Sequence, residues 1–240
     1  MKKKRNMEAL AFTVPALAIL GVFVFYPLVR NIIYSFQSFT LSSVTKEWVG
    51  LKNYATLFSD KVILTCLKNN ILYALISIVI QVGFGLVLAA VLEDVAFRKL
   101  APTLRSIYFI PTVISMTVVC LLFDFIYDPQ MGLLNSFLEV IGLEGLTKIW
   151  LGSKKTAMYA VIAVSQWQST GYVAMLFIVA IQKIPHDLYE AAEVDGASKI
   201  KRFFYITVPQ VRQMFFVTMI LTVSGAFTVF NEPYILTGGG

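Results

Sequence analysis

The chain has 240 residues, 58% of them hydrophobic and only 14% charged, with a formal net charge of +6 and a mean hydropathy of +0.74. That is more apolar side chain than one water-soluble core can bury, which excludes an ordinary soluble domain. Basic residues that flank apolar runs meet anionic lipid headgroups, so membrane lipid accounts for the positive charge and no nucleic-acid partner is implied.

A hydrocarbon core of about 30 Å needs roughly 20 apolar residues per helical crossing. Five charge-free runs reach or approach that length, at 9–29, 69–92, 106–123, 156–182 and 213–231. They are continuously apolar, without the alternation of barrel strands, so helices must satisfy the backbone internally. The predicted fold class is all-α: a polytopic membrane helix bundle in which 1–240 is one transmembrane domain. Its spans are placed at about 9–29, 69–92, 106–127, 156–182 and 213–231.

The first run follows Lys2, Lys3, Lys4 and Arg5 and has 21 uncharged residues ending in Tyr26-Pro27-Leu28-Val29. A cleaved secretory signal has an apolar core of roughly 7 to 15 residues and a small-residue cleavage site, so an uncleaved first helix is predicted. With a cytoplasmic N-terminus, 93–105 and 183–212 are also cytoplasmic, and 30–68 and 124–155 lie outside. The cytoplasmic segments then hold 12 Lys and Arg against 8 outside, as the positive-inside rule requires.

Chemistry-bearing motifs are few. Cys66 falls in an outer segment and Cys120 inside a span, which is no disulfide framework. His186 has no Cys or carboxylate partners at metal-ligand spacing. Neither a phosphate-binding G-x-x-x-x-G-K-[ST] loop nor a G-x-S-x-G elbow occurs, so no catalytic residue is assigned. In the fourth span Gln166, Trp167, Gln168, Ser169 and Tyr172 form a polar and aromatic cluster, and Thr228 and Asn231 occupy the fifth. Amides and hydroxyls match sugar hydroxyls, and aromatic faces match the apolar face of a pyranose. The competing reading is that these groups bond across helices or anchor an interface. Gln81 reads as packing between helices, and Asp124 and Glu232, near span ends, as hydrated carboxylates.

The cytoplasmic segment 183–212 carries the most information. Pro185 suits a helix start, and Asp187, Glu190 and Glu193 place negative charge near that helix's positive end. A short helix to Asp195, a left-handed turn at Gly196, a Ser198 cap on a second helix, and an interruption at Pro209 before the fifth span are predicted. Leu188, Ala191, Ala192, Phe203 and Phe204 leave this knob too apolar for water. On composition alone it reads as an amphipathic helix on lipid, with Lys199, Lys201 and Arg202 at the headgroups.

The spacing says more. Glu190, Ala191, Ala192, Gly196, Ile206 and Pro209 reproduce E-A-A-x3-G-x9-I-x-L-P, with Val208 where Leu is usual. The segment thereby resembles the EAA motif of binding-protein-dependent ABC importer permeases. Val49-Gly50-Leu51-Lys52-Asn53-Tyr54, Ile110-Pro111, Gly132-Leu133-Leu134-Asn135, Ile184-Pro185 and Leu236-Thr237-Gly238-Gly239-Gly240 are similar to the carbohydrate-importer branch, of the maltose and multiple-sugar type. The resemblance implies that Glu190, Ala191, Ala192, Asp195, Gly196, Ile206 and Pro209 form a coupling loop docking on a cytoplasmic ATPase. It also implies a heterodimer with a second permease subunit, two ATPase subunits carrying ATP and magnesium, and an external solute-binding protein. The chain itself would need no cofactor. The expected function is import of a sugar, an oligosaccharide, across the plasma (inner) membrane by alternating access. A non-sugar cargo (an amino acid, a polyamine or glycerol phosphate) and a secondary transporter are the alternatives. The same branch implies a sixth helix after the T-G-G-G stretch, so the domain is expected to be truncated at its C-terminal end.

Overall fold

The computed structural model describes residues 12–40, 45–97 and 99–239. The basic cluster at 2–5, the start of the first run at 9–11, Arg98 and Gly240 lie outside these residues. The chain divides into two compact units, Met1–Leu67 and Lys68–Gly240.

In the first unit, α1 (Phe12–Ser35) is one apolar helix widened by a π-helical turn at Gly21–Phe25. It runs into a small antiparallel ribbon that composition did not predict. In it β1 (Gln37–Ser38) pairs with β2 (Glu47–Trp48), Gln37 opposite Trp48 and Ser38 opposite Glu47. The Val49-Gly50-Leu51-Lys52-Asn53-Tyr54 stretch closes this unit. Gly50 takes φ +59°, which leads the chain into α2 (Lys52–Ser59) and which a residue with a Cβ adopts only at a cost. Asn53 Nδ2 then donates to the Ser35 and Gln37 carbonyls at 2.9 and 3.0 Å, supplying partners at the end of α1 where helical donors run out. Phe36 stacks on Trp48 at 5.6 Å beside them.

α3 (Lys61–Glu93) begins ahead of the charge-free run and continues into the second unit, with a π-helical stretch at Ile78–Phe84. That unit is organised around α7 (Ala157–Ile181), a long helix and the most buried of the candidate spans. Small residues let backbones approach closely here, as in membrane helix packing generally. Gly85 of α3 lies within contact distance of the Ala174 backbone, and Gly171 faces the Tyr108 carbonyl of α4 (Ala101–Val113) so closely that a Cβ would collide with it. Val82, Leu86, Phe177, Ile178, Ile181 and Val211 fill one core, while Val119, Cys120, Tyr127, Val164 and Leu236 fill another.

Among the described residues three helices, α1, α3 and α7, are long and apolar enough to cross a membrane, or up to five spans if each of two bent pairs counts as one. Here the structure departs from the five uninterrupted runs. The third run is broken: α4 ends at Val113 and α5 (Met116–Ile126) starts after a 99° bend. Pro111 is accommodated inside the last turn of α4, the chain turns extended at Ile114 and Ser115, and α7 stitches the break. Thr112 Oγ1 donates to the Gln168 carbonyl at 2.9 Å and Gln168 Nε2 donates to the Ile114 carbonyl at 2.7 Å. The fifth run is shorter than predicted, because α10 (Arg212–Phe227) stops before Thr228 and Asn231 opens a separate helix.

Between α5 and α7, the Gly132-Leu133-Leu134-Asn135 stretch opens α6 (Leu133–Val140). Asn135 is buried and ties down the following loop: its Oδ1 accepts from Trp150 Nε1 at 2.8 Å and its Nδ2 donates to the Lys148 carbonyl at 3.1 Å. After α7 come α8 (His186–Val194) and α9 (Lys199–Gln210), the latter with a π-helical turn at Phe203–Thr207. A 72° bend leads into α10, and α11 (Asn231–Thr237) closes the described chain, packed against α5.

Candidate functional site

Two places bring the predicted residues together. The first is the α8–α9 hairpin. Pro185 sits just before α8 in extended backbone rather than within its first turn, and Asp187 supplies negative charge at the positive end. At the other end Gly196 takes φ +73°; its N–H bonds to the Glu193 carbonyl at 3.0 Å and the Ala197 N–H to the Ala192 carbonyl at 2.8 Å. This pair of bonds is a Schellman closure, which satisfies helix-terminal carbonyls and fixes the exit direction of the chain. Ser198 then caps α9, its Oγ accepting from the Lys201 N–H at 3.4 Å.

Side chains lock the two helices. Tyr189 and Thr207 share a hydroxyl hydrogen bond of 2.8 Å, and Arg202 Nη1 meets Glu193 Oε2 at 2.8 Å. Lys199 Nζ reaches Asp94, just past α3, at 2.8 Å, and that ammonium, with the Ala96 N–H, holds the Asp94 carboxyl below the usual carboxylate range. Glu190, Ala191, Asp195 and Gly196 are exposed, Ala192 is half-buried, and the Glu190 carboxylate has no partner among the described residues. Val194 is exposed one turn further along the same side of the helix, and Leu188 is exposed on another side. Ile206 is half-buried within the wide turn of α9, and Pro209 lies near its end, with the break two residues later at Val211 instead of at the proline.

The second place is a cavity of about 340 Å³ between α3, α7, α10 and the start of α11. Of the six predicted pathway residues, Tyr172, Thr228 and Asn231 line it, as does Ser169. The other three do not. Gln166 is buried beside α3, its Nε2 donating to Ser77 Oγ at 3.0 Å. Gln168 points to the α4–α5 break, and Trp167 is on an exposed flank, edge-on to Phe123 at 5.4 Å. Three consecutive residues of a helix point about 100° apart, so they cannot share one cavity.

Other side chains complete the wall. Gln81, predicted as packing between helices, does accept from Thr222 at 3.5 Å, and it also faces the cavity, in the π-helical stretch of α3. Tyr73, Ser165, Thr218 and Thr222 add hydroxyls. Glu232 overturns the expectation of a hydrated carboxylate. It is buried at the start of α11, with its Oε1 accepting from the Tyr73 hydroxyl at 3.4 Å. Its position in the sequence, just past a charge-free run, concealed that α11 folds back on the bundle.

Residues 130–240 match the family described as binding-protein-dependent transport system inner membrane component. A probable ABC transporter permease protein of Bacillus subtilis, YurN, is 59% identical over 95% of this chain and 78% of its own length. The trehalose/maltose transport system permease protein MalF of Thermococcus litoralis is 30% identical over 94% of this chain and 75% of its own. Among solved structures, a bacterial alginate ABC transporter in complex with an alginate pentasaccharide-bound periplasmic protein matches with a TM-score of 0.81 at 22% identity, covering 98% of this chain and 77% of that one. Fold, hairpin and relatives agree, and the chain belongs to the ABC importer permeases, the inner membrane components of binding-protein-dependent transport systems.

Proposed function

We propose that this chain is one half of the membrane channel of an ATP-driven importer whose cargo is a sugar, an oligosaccharide, delivered by an external solute-binding protein. The observation that carries the reading is the α8–α9 hairpin. It has a hydrogen-bonded closure at Gly196 and two cross-braces, and it exposes Val194 and an unpartnered Glu190 on one side. An exposed surface that combines apolar side chains with uncompensated carboxylates fits a groove on a protein partner, where those charges find donors. The partner is a cytoplasmic ATPase subunit, one of two, which holds ATP and magnesium. Glu190, Ala191 and Asp195 form the contact surface, while Ala192, Gly196, Ile206 and Pro209 shape it. The N-terminus is then cytoplasmic, and a second, homologous permease subunit completes the pore.

The cavity supports a polyhydroxylated cargo. Its wall carries Gln and Asn amides, Ser, Thr and Tyr hydroxyls, and the rings of Tyr172 and Phe230, groups that bond sugar hydroxyls and stack on pyranose faces. Trehalose and maltose are the cargo for which the Thermococcus relative is named, and alginate is that of the matched structure. Tyr172, Thr228 and Asn231 stay in the proposed pathway; Gln166, Trp167 and Gln168 serve the bundle that encloses it.

The test is co-purification of the full complex with Glu190→Lys and Gly196→Pro. Loss of the ATPase subunits, with the permease pair still associated, is the expected result. Retention of the ATPase with saccharide-stimulated hydrolysis in both variants overturns the coupling assignment and returns the hairpin to the lipid surface.

A further inference from the structure

Glu232 is a group that neither coupling nor the packing of the bundle accounts for. It lies 8% exposed on the wall of the cavity, and the Tyr73 hydroxyl, at 3.4 Å, is the one side-chain donor that reaches it among the described residues. No Lys, Arg or His is among the residues that line the cavity. A carboxylate removed from water without a cation or a full set of donors carries a large desolvation cost, and such groups inside membrane proteins mark the path of an ion or a charged substrate. The rest of the wall is uncharged and mixed: Val173, Leu176 and Leu221 alternate with Gln81, Thr222, Thr228 and Asn231, which face the same space.

We propose that Glu232 sets the charge class of the cargo: the cavity receives a sugar bearing a cationic nitrogen, whose ammonium pairs with this carboxylate while its hydroxyls meet the amides and hydroxyls around it. A neutral sugar fits with lower affinity, and a uronate or other anionic sugar is repelled. The proposal rests on the reading of the chain as a sugar permease and adds the charge of the substrate to it.

The test uses the assembled complex with its second permease, ATPase and binding protein. Thr228→Cys is introduced with Cys66→Ala, leaving Cys120, which is fully buried, and labelling is corrected for the parent without Thr228→Cys. A cationic methanethiosulfonate should label the introduced thiol roughly ten-fold faster than an anionic one, relative to their rates with a free thiol, and Glu232→Gln should bring that ratio close to one. Glu232→Gln keeps an acceptor for Tyr73, and its assembly is checked by size exclusion. In a second arm that needs no change at position 232, the β-1,4-linked glucosamine disaccharide, cellobiose and cellobiouronic acid compete with the label. The glucosamine disaccharide should protect at the lowest concentration and the uronate at the highest. A rate ratio near one in the assembled complex, whether because the second permease supplies a cation or because the carboxyl is protonated, overturns the proposal, and so does best protection by the uronate. Failure of the underlying sugar reading looks different: the charge preference persists, but no saccharide-loaded binding protein stimulates ATP hydrolysis.

Discussion

Replacing Gln168 by Leu removes the amide that holds the Ile114 carbonyl at the α4–α5 break. An unpaired buried backbone acceptor costs about 1–3 kcal/mol, so Gln168→Leu should lower the thermal midpoint of the detergent-solubilised complex, measured by intrinsic fluorescence, while leaving the ATPase bound. Gly171→Ala is the harsher change, because its Cβ would meet the Tyr108 carbonyl and α4 and α7 would have to separate. Its expected outcome is loss of the folded protein from membranes, read by immunoblot. The sequence shows both residues as uncharged occupants of one apolar run and says nothing of their different duties. Gln166, Trp167 and Gln168 are adjacent and chemically apt, yet only an enclosing bundle decides which flank of α7 meets a cavity. Glu232 was hidden for the same reason, since its burial depends on helices far away in the chain.

At the scale of elements, the α8–α9 hairpin was legible almost residue by residue. Its determinants are local: a glycine where φ must be positive, a serine three residues before the N–H it caps, and apolar residues at helical spacing. Gly196→Ala keeps the polarity and strains only the left-handed turn, at a cost of about 1 kcal/mol, and should weaken ATP-dependent uptake without dissociating the permease pair. The brace from Lys199 to Asp94 joins residues 105 apart in sequence and could not be read beforehand. Because the folded state depresses the Asp94 carboxyl, the brace is present above the ordinary carboxylate range and is lost as pH falls through the lowered value. Both partners are partly exposed, so salt screens the pair. Hydrogen exchange of the α9 amides, compared at matched intrinsic rates, should therefore accelerate on acidification and in high salt, and Asp94→Asn should remove both dependences.

For the whole molecule, composition dictated a bundle of apolar helices and left its bends undecided. Charge-free length cannot distinguish one straight helix from two short ones whose freed carbonyls are satisfied by a neighbour, and α4 and α5 are that second case. Large apolar side chains remain exposed along α1, α3, α5 and α10, among them Phe23, Val79, Leu121 and Ile220, and lipid or a second permease subunit is the surrounding they suit. The π-helical stretch of α3 has a further consequence. Each residue added to or withdrawn from a helix turns everything beyond it by about 100° and moves it by about 1.5 Å. At Ile78–Phe84, α3 holds a wider turn with Gln81 at its middle, facing the cavity. If that turn tightened to ordinary α geometry, Gln81 would swing out of the wall like a tooth on a ratchet while the outer half of the helix stayed in place. Deleting Val79, an exposed residue of this turn, should fix the tightened register and abolish uptake in proteoliposomes.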